Sequence, residues 1–136
     1  MNRLRSAALA ALVAAGLAAP AVARERPLET YYANLSAWDH IDGEGHRLTS
    51  VSDILRQDRA NYHQRHLRDP SDIGDRYFGQ EANRRKIPAL LAAGHLSDWD
   101  ERRILMRRPR VRVDRYADRL EVTIETSGGA AGPLRY

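Results

Sequence analysis

Residues 111–124, VRVDRYADRLEVTI, switch the chain from a helical to an alternating pattern. Val111 and Val113 alternate with charged residues before Tyr116-Ala117-Asp118, and Leu120, Val122 and Ile124 do so after it. A period of two places the apolar side chains on one face of a strand and the charged ones on the other. The stretch is therefore predicted to be a β-hairpin with one wet face, turning around residues 116–118. Two strands alone are marginal in water, so a further strand and a cover of helices are required.

Both lie upstream. Residues 30–38, TYYANLSAW, are rich in aromatic residues and read as a first strand, with Tyr31, Ala33 and Leu35 on one face and Tyr32, Asn34 and Ser36 on the other. The polar, glycine-containing stretch 39–46 reads as a loop. Thr49-Ser50-Val51-Ser52-Asp53 is a helix start, because a hydroxyl cap followed three residues later by an acid satisfies free backbone amides. That helix is predicted over 51–66, its apolar stripe formed by Val51, Ile54, Leu55 and Tyr62 and interrupted by Asp58. Residues 80–93 read as helical up to Gly94, with Pro88 kinking the segment or starting a new turn. Ser97-Asp98-Trp99-Asp100 starts a last helix that ends at Arg107-Arg108-Pro109.

The expected fold is thus a small single α+β domain. About three helical segments pack on a short antiparallel sheet made of the early strand and the C-terminal hairpin. The expected boundaries are a signal peptide over 1–23, a flexible lead-in over 24–29, the domain over 30–126 and a flexible tail over 127–136. The signal-peptide reading rests on Arg3 and Arg5, the apolar run 7–19 and Ala21-Val22-Ala23 before Arg24, which supply charged, apolar and small-residue regions in order. The apolar run is too short for a membrane span, which needs about 20 residues, and no second one follows. The expected location is the bacterial periplasm or the medium, with no transmembrane segment in the mature chain.

The chain has no cysteine, which excludes disulfides and thiolate chemistry. Of its 22 basic residues only Lys86 is lysine. Charge is divided unevenly: residues 24–75 hold 7 basic and 10 acidic side chains, residues 76–136 hold 13 and 8, and the two halves are expected to attract each other.

Three constellations carry possible chemistry. His40, Asp42 and His46 precede a helix bearing Asp58, His63 and His66, and imidazole with carboxylate suits a divalent metal. His63 and His66, three apart on a helix, are near enough to share an ion, although no zinc spacing motif is present. The glycine turn 42–45 fails as a calcium loop, because Val51 stands where the bidentate acid belongs. Asp58 needs a partner, either an arginine of the basic half or backbone amides of the 39–48 loop. Lastly, Arg102, Arg103, Arg107, Arg108, Arg110 and Arg112 form a basic cluster able to meet a polyanion or the envelope surface. No aromatic ladder accompanies it, and no nucleic-acid partner is expected. With no Gly-x-Ser-x-Gly elbow and no phosphate-binding glycine loop, the leading expectation is a non-enzymatic binding module for a protein or envelope component, acting through helical surface and hairpin edge. A divalent-metal protein is the second expectation and polyanion binding the third.

Overall fold

The computed structural model describes residues 23–126. The expected leader, apart from Ala23, and the expected tail lie outside them. The fold is the α+β domain read from the sequence: a three-stranded antiparallel sheet in the order β1 (Glu29–Asn34), β2 (Arg110–Arg115), β3 (Leu120–Ile124). The hairpin pairs with the first strand of its own chain. The register places Tyr31, Val113 and Val122 in one row across the sheet and Ala33, Val111 and Ile124 in the next. All six are buried, which is the face the alternation implied. The hairpin turn closes through the Tyr116 amide to the Arg119 carbonyl at 2.9 Å.

Among the described residues there are four α-helices, of which α1, α3 and α4 supply buried side chains to the core. α1 (Val51–His63) starts where Ser50 Oγ accepts the Asp53 amide at 3.2 Å, and it buries Val51, Ile54 and Leu55. It stops three residues before the expected end, because His66 takes a left-handed conformation (φ +56°) and lets the Leu67 amide reach back to the Asn61 carbonyl at 2.9 Å. The segment read as helical over 80–93 is split into α2 (Glu81–Arg84) and α3 (Ile87–Ala93). Pro88 explains the break, since its ring would meet the carbonyl four residues earlier, that of Arg84, and it sits in the first turn of α3 where its missing N–H costs nothing. α4 (Asp98–Met106) is capped by Ser97, whose Oγ accepts the Asp100 amide at 3.1 Å.

Phe78, Ile87 and Ile104 complete the core, with Phe78 meeting Tyr31 edge-to-face at 6.1 Å between ring centroids. Each fully buried aliphatic side chain contributes about 1.5–3 kcal/mol, and apolar packing holds the fold without a covalent staple. Among the described residues no helix is long and apolar enough to cross a membrane.

Two readings are corrected. The first strand ends at Asn34 rather than continuing to Trp38; residues Ala37–His40 wind into a single 3-10 turn, with the Ser36 amide donating to Asp39 Oδ2 at 2.8 Å. The hairpin edge is not open for another chain along its length. Val122 N–H donates to the His95 carbonyl at 2.9 Å and His95 N–H to the Leu120 carbonyl at 3.1 Å, while Ile73 exchanges both backbone bonds with Tyr32 on the opposite edge, at 2.9 and 3.0 Å. The fold thus protects its own edges with loop residues. The lead-in is also tied down, by Leu28 N–H to the Arg115 carbonyl at 2.8 Å and by Arg119 to Glu25 at 3.0 Å.

Candidate functional site

Asp58, Arg59 and His63 of α1 form a network with Asp75. Asp58 lies inside, as its place on the apolar stripe required, but its partner is its neighbour Arg59 and neither a basic-half arginine nor a loop amide. Arg59 Nε donates to Asp58 Oδ2 at 2.7 Å and Nη1 to Asp75 Oδ1 at 2.9 Å. The long guanidinium side chain reaches inward from a helix position that an apolar stripe would leave in solvent, and its flat face stacks 4.0 Å from the Tyr31 ring and 4.6 Å from that of Tyr62. His63 Nε2 meets Asp75 Oδ1 at 2.9 Å, and Asp75 Oδ2 accepts the Phe78 amide at 2.6 Å. Burial pushes Asp58 from 3.8 up to about 7 although Arg59 pulls against it. Burial also acts to raise Asp75, but hydrogen bonds from His63 and the Phe78 amide outweigh it and hold that carboxyl low.

The other residues considered for a metal are placed apart from this network. His40 is buried, with Nδ1 at 2.8 Å from the Ser36 carbonyl and Nε2 at 2.9 Å from the Ile104 carbonyl. Asp42 and His46 face each other at 3.2 Å on the exposed loop, where Asp42 Oδ1 also accepts the amides of Glu44 and His46. His66 occupies the left-handed exit of α1. His63 and His66 do not share a helix face, because the helix has ended between them. Among the described residues no three His, Asp or Glu side chains are grouped to hold a metal ion.

The arginine cluster divides in two. Arg110 and Arg112 stand on β2, paired with Glu125 at 3.0 Å and Asp114 at 3.1 Å. Arg102 and Arg103 lie on α4, whereas Arg107 and Arg108 leave it, Arg107 in extended conformation (φ −133°, ψ −175°). These last two line a groove of about 350 Å³ with Arg47, Trp38, Ile41 and Met106. Among the described residues no carboxylate lines it.

Each wall is built by short-range chemistry. Asp39 accepts the Ser36 amide through one oxygen and Asn61 Nδ2 at 2.9 Å through the other, which ties the 3-10 turn to α1. His40 joins the same turn to the end of α4 and forms the groove floor. Trp38, which precedes these two anchors, is left 63% exposed, and Met106 on the facing wall 74% exposed. Arg47 is brought in by the turn at Gly45 (φ +86°), which returns the chain so that Ile41 pairs with Arg47; Arg47 Nη2 then donates to the Leu105 carbonyl at 2.7 Å.

A second cleft, of about 520 Å³ between α1 and α2, differs in charge. Asp53 and Glu81 line it together with Arg56, Arg84 and Arg85, and Arg85 pairs with Glu81 at 2.7 Å. Its charges offset one another, whereas the Trp38 groove carries one sign only.

Fold and site together define a small α+β domain with a cationic, partly apolar groove. No family model matches the chain, and neither the curated proteins nor the solved structures include a match.

Proposed function

We propose that this chain is an exported, non-enzymatic binding module of the bacterial envelope, and that its working surface is the groove between the 37–40 turn and the end of α4. One observation carries the binding reading. Two large hydrophobic side chains, Trp38 and Met106, stand exposed beside three arginines in a hollow that no carboxylate lines among the described residues. Exposing apolar surface and like charges together is unfavourable in the free protein, and both are compensated when a partner of opposite charge covers them. The richest titratable cluster supports the same reading from the other side. Asp58, Arg59, Asp75 and His63 bond to one another and hold α1 to the 75–78 segment, with only Arg59 Nη2 among their buried atoms left without a partner. The export half of the proposal is supported by the charged, apolar and small-residue order of residues 1–23.

Two experiments test it. A random peptide library panned on the chain, with counter-selection on an Arg107→Ser/Arg108→Ser variant, is expected to enrich sequences that the variant fails to retain; enrichment that the variant retains equally, or none, would contradict the groove as the working surface. N-terminal sequencing of the protein recovered from a bacterial periplasm is expected to begin at Arg24. A start at Met1 in the cytoplasmic fraction would overturn export and leave the groove reading to be judged on the panning alone.

A further inference from the structure

Trp38 and Ile41 do not close the groove on their far side. They form a ridge, and beyond it lies a second hollow of about 240 Å³, lined in part by Arg65 and Leu67. Leu67 is 48% exposed. The surface is therefore a band of two adjoining hollows that share one apolar wall, with Met106 at one end and Leu67 at the other.

We propose that this band binds an extended acidic peptide segment whose two apolar side chains enter the two hollows, one on each side of the Trp38–Ile41 ridge. The proposal rests on the groove reading above and adds the partner's chemistry to it. Three features argue for this occupant. First, the charge in reach is positive: Arg47, Arg107 and Arg108 line the first hollow and Arg65 the second. The one carboxylate in the band, Asp42, is already turned onto the amides of Glu44 and His46. The negative end of α4 offsets only about half a charge of this. Second, alternate side chains of an extended peptide fall on one face, so residues i and i+2 reach neighbouring pockets while acids at i−2 and i+4, on the same face, meet the guanidinium groups. Third, the shape disfavours a lipid surface. Insertion into a bilayer uses the continuous apolar face of an amphipathic helix. Here the exposed hydrophobics stand on a four-residue turn and on the last residue of α4, and they border hollows.

The molecule carries its own reporter. Its two tryptophans are Trp38 and Trp99, and Trp99 lies on α4 outside both hollows. A Trp99→Phe version of the full chain reports on the ridge alone. The probes are the synthetic peptides acetyl-EELEFEE-amide and acetyl-KKLKFKK-amide, and vesicles of phosphatidylglycerol. The acidic peptide is expected to shift Trp38 emission to the blue, saturably and with an affinity that falls as salt is added. The shift is expected to weaken about tenfold or more in the Arg107→Ser/Arg108→Ser background and to be unchanged in Arg102→Ser, whose arginine stands outside the band. Arg102, Arg107 and Arg108 are all exposed, so an unchanged unfolding midpoint verifies the fold of each variant. A shift produced by the vesicles and not by the acidic peptide overturns the peptide proposal and keeps the groove reading. A shift that the lysine peptide matches overturns charge recognition. No shift with any probe, together with failed panning, overturns both.

Discussion

At the residue scale the chain is governed by one arginine. Arg59 is fully buried and supplies the positive charge for two carboxylates, so Asp58 and Asp75 are tolerated in the interior. Asp58 is the member whose proton matters. Its carboxyl is pushed from 3.8 up to about 7, chiefly by burial, with Asp39 and Asp72 adding repulsion and Arg59 opposing both. A carboxyl raised in the folded state binds its proton more tightly there than in the unfolded chain. The stability it brings is therefore complete below its ordinary range and is lost as pH rises through about 7. Unfolding free energy is expected to fall between about pH 4 and 7, with a slope approaching about 1.4 kcal/mol per pH unit at its steepest. Asp58→Asn is expected to remove that component, read as the difference between the two stability curves from urea unfolding at each pH. Parallel curves would show that Asp58 is ionised throughout. That Asp58 is buried was legible from its position on the helical stripe. That Arg59 would be its partner was not, because a helical wheel places residue 59 about 100° away and treats a charged side chain as outward-facing, whereas a guanidinium on a long stem can turn in.

At the element scale the sheet depends on one glycine. A Cβ at Gly94 would lie 1.6 Å from the Leu120 carbonyl oxygen, the same oxygen that accepts the His95 amide at 3.1 Å. The close approach lets the 94–95 segment run along β3 and cover its edge, which a side chain forbids. Gly94→Ala is therefore expected to cost about 2–3 kcal/mol and to lower the thermal midpoint by more than about 8 °C, with faster amide exchange at His95 and Val122. A midpoint unchanged within error would mean that the edge is covered in some other way. Gly94 was readable as a helix stop. Its second duty, against a strand 26 positions later in the sequence, is a tertiary contact that no local pattern announces. The elements with strong periodicity or caps, α1, α4 and the hairpin, were legible nearly to their ends. The 3-10 turn over Ala37–His40 was not, since four residues carry no period and the aromatic Trp38 matched a strand as well as a turn.

At the scale of the whole molecule, the groove gathers residues 37, 38, 40, 41, 47 and 105–108, separated by most of the domain. Arg107 and Arg108 stood in the basic cluster seen in the sequence, yet the cluster gave no sign that they part from Arg110 and Arg112, which point from the sheet toward acids. Trp38, Ile41, Arg47 and Met106 gave none at all, because each is ordinary in its local setting and they meet only where the turn docks on α4. Of the side chains in the metal reading, His40 meets two backbone carbonyls, Asp42 the amides of Glu44 and His46, Asp58 the Arg59 guanidinium and His63 the Asp75 carboxylate. What distinguishes this surface is its combination of exposed apolar area and unbalanced positive charge, and binding there is the central claim. The measurement that addresses it most directly is amide chemical-shift mapping of the isotope-labelled chain with the tightest peptide recovered by panning. Shifts confined to residues 37–41, 47, 65–67 and 105–108 are the expected result. Shifts centred on the cleft between α1 and α2, or along the outer face of the sheet, would contradict it.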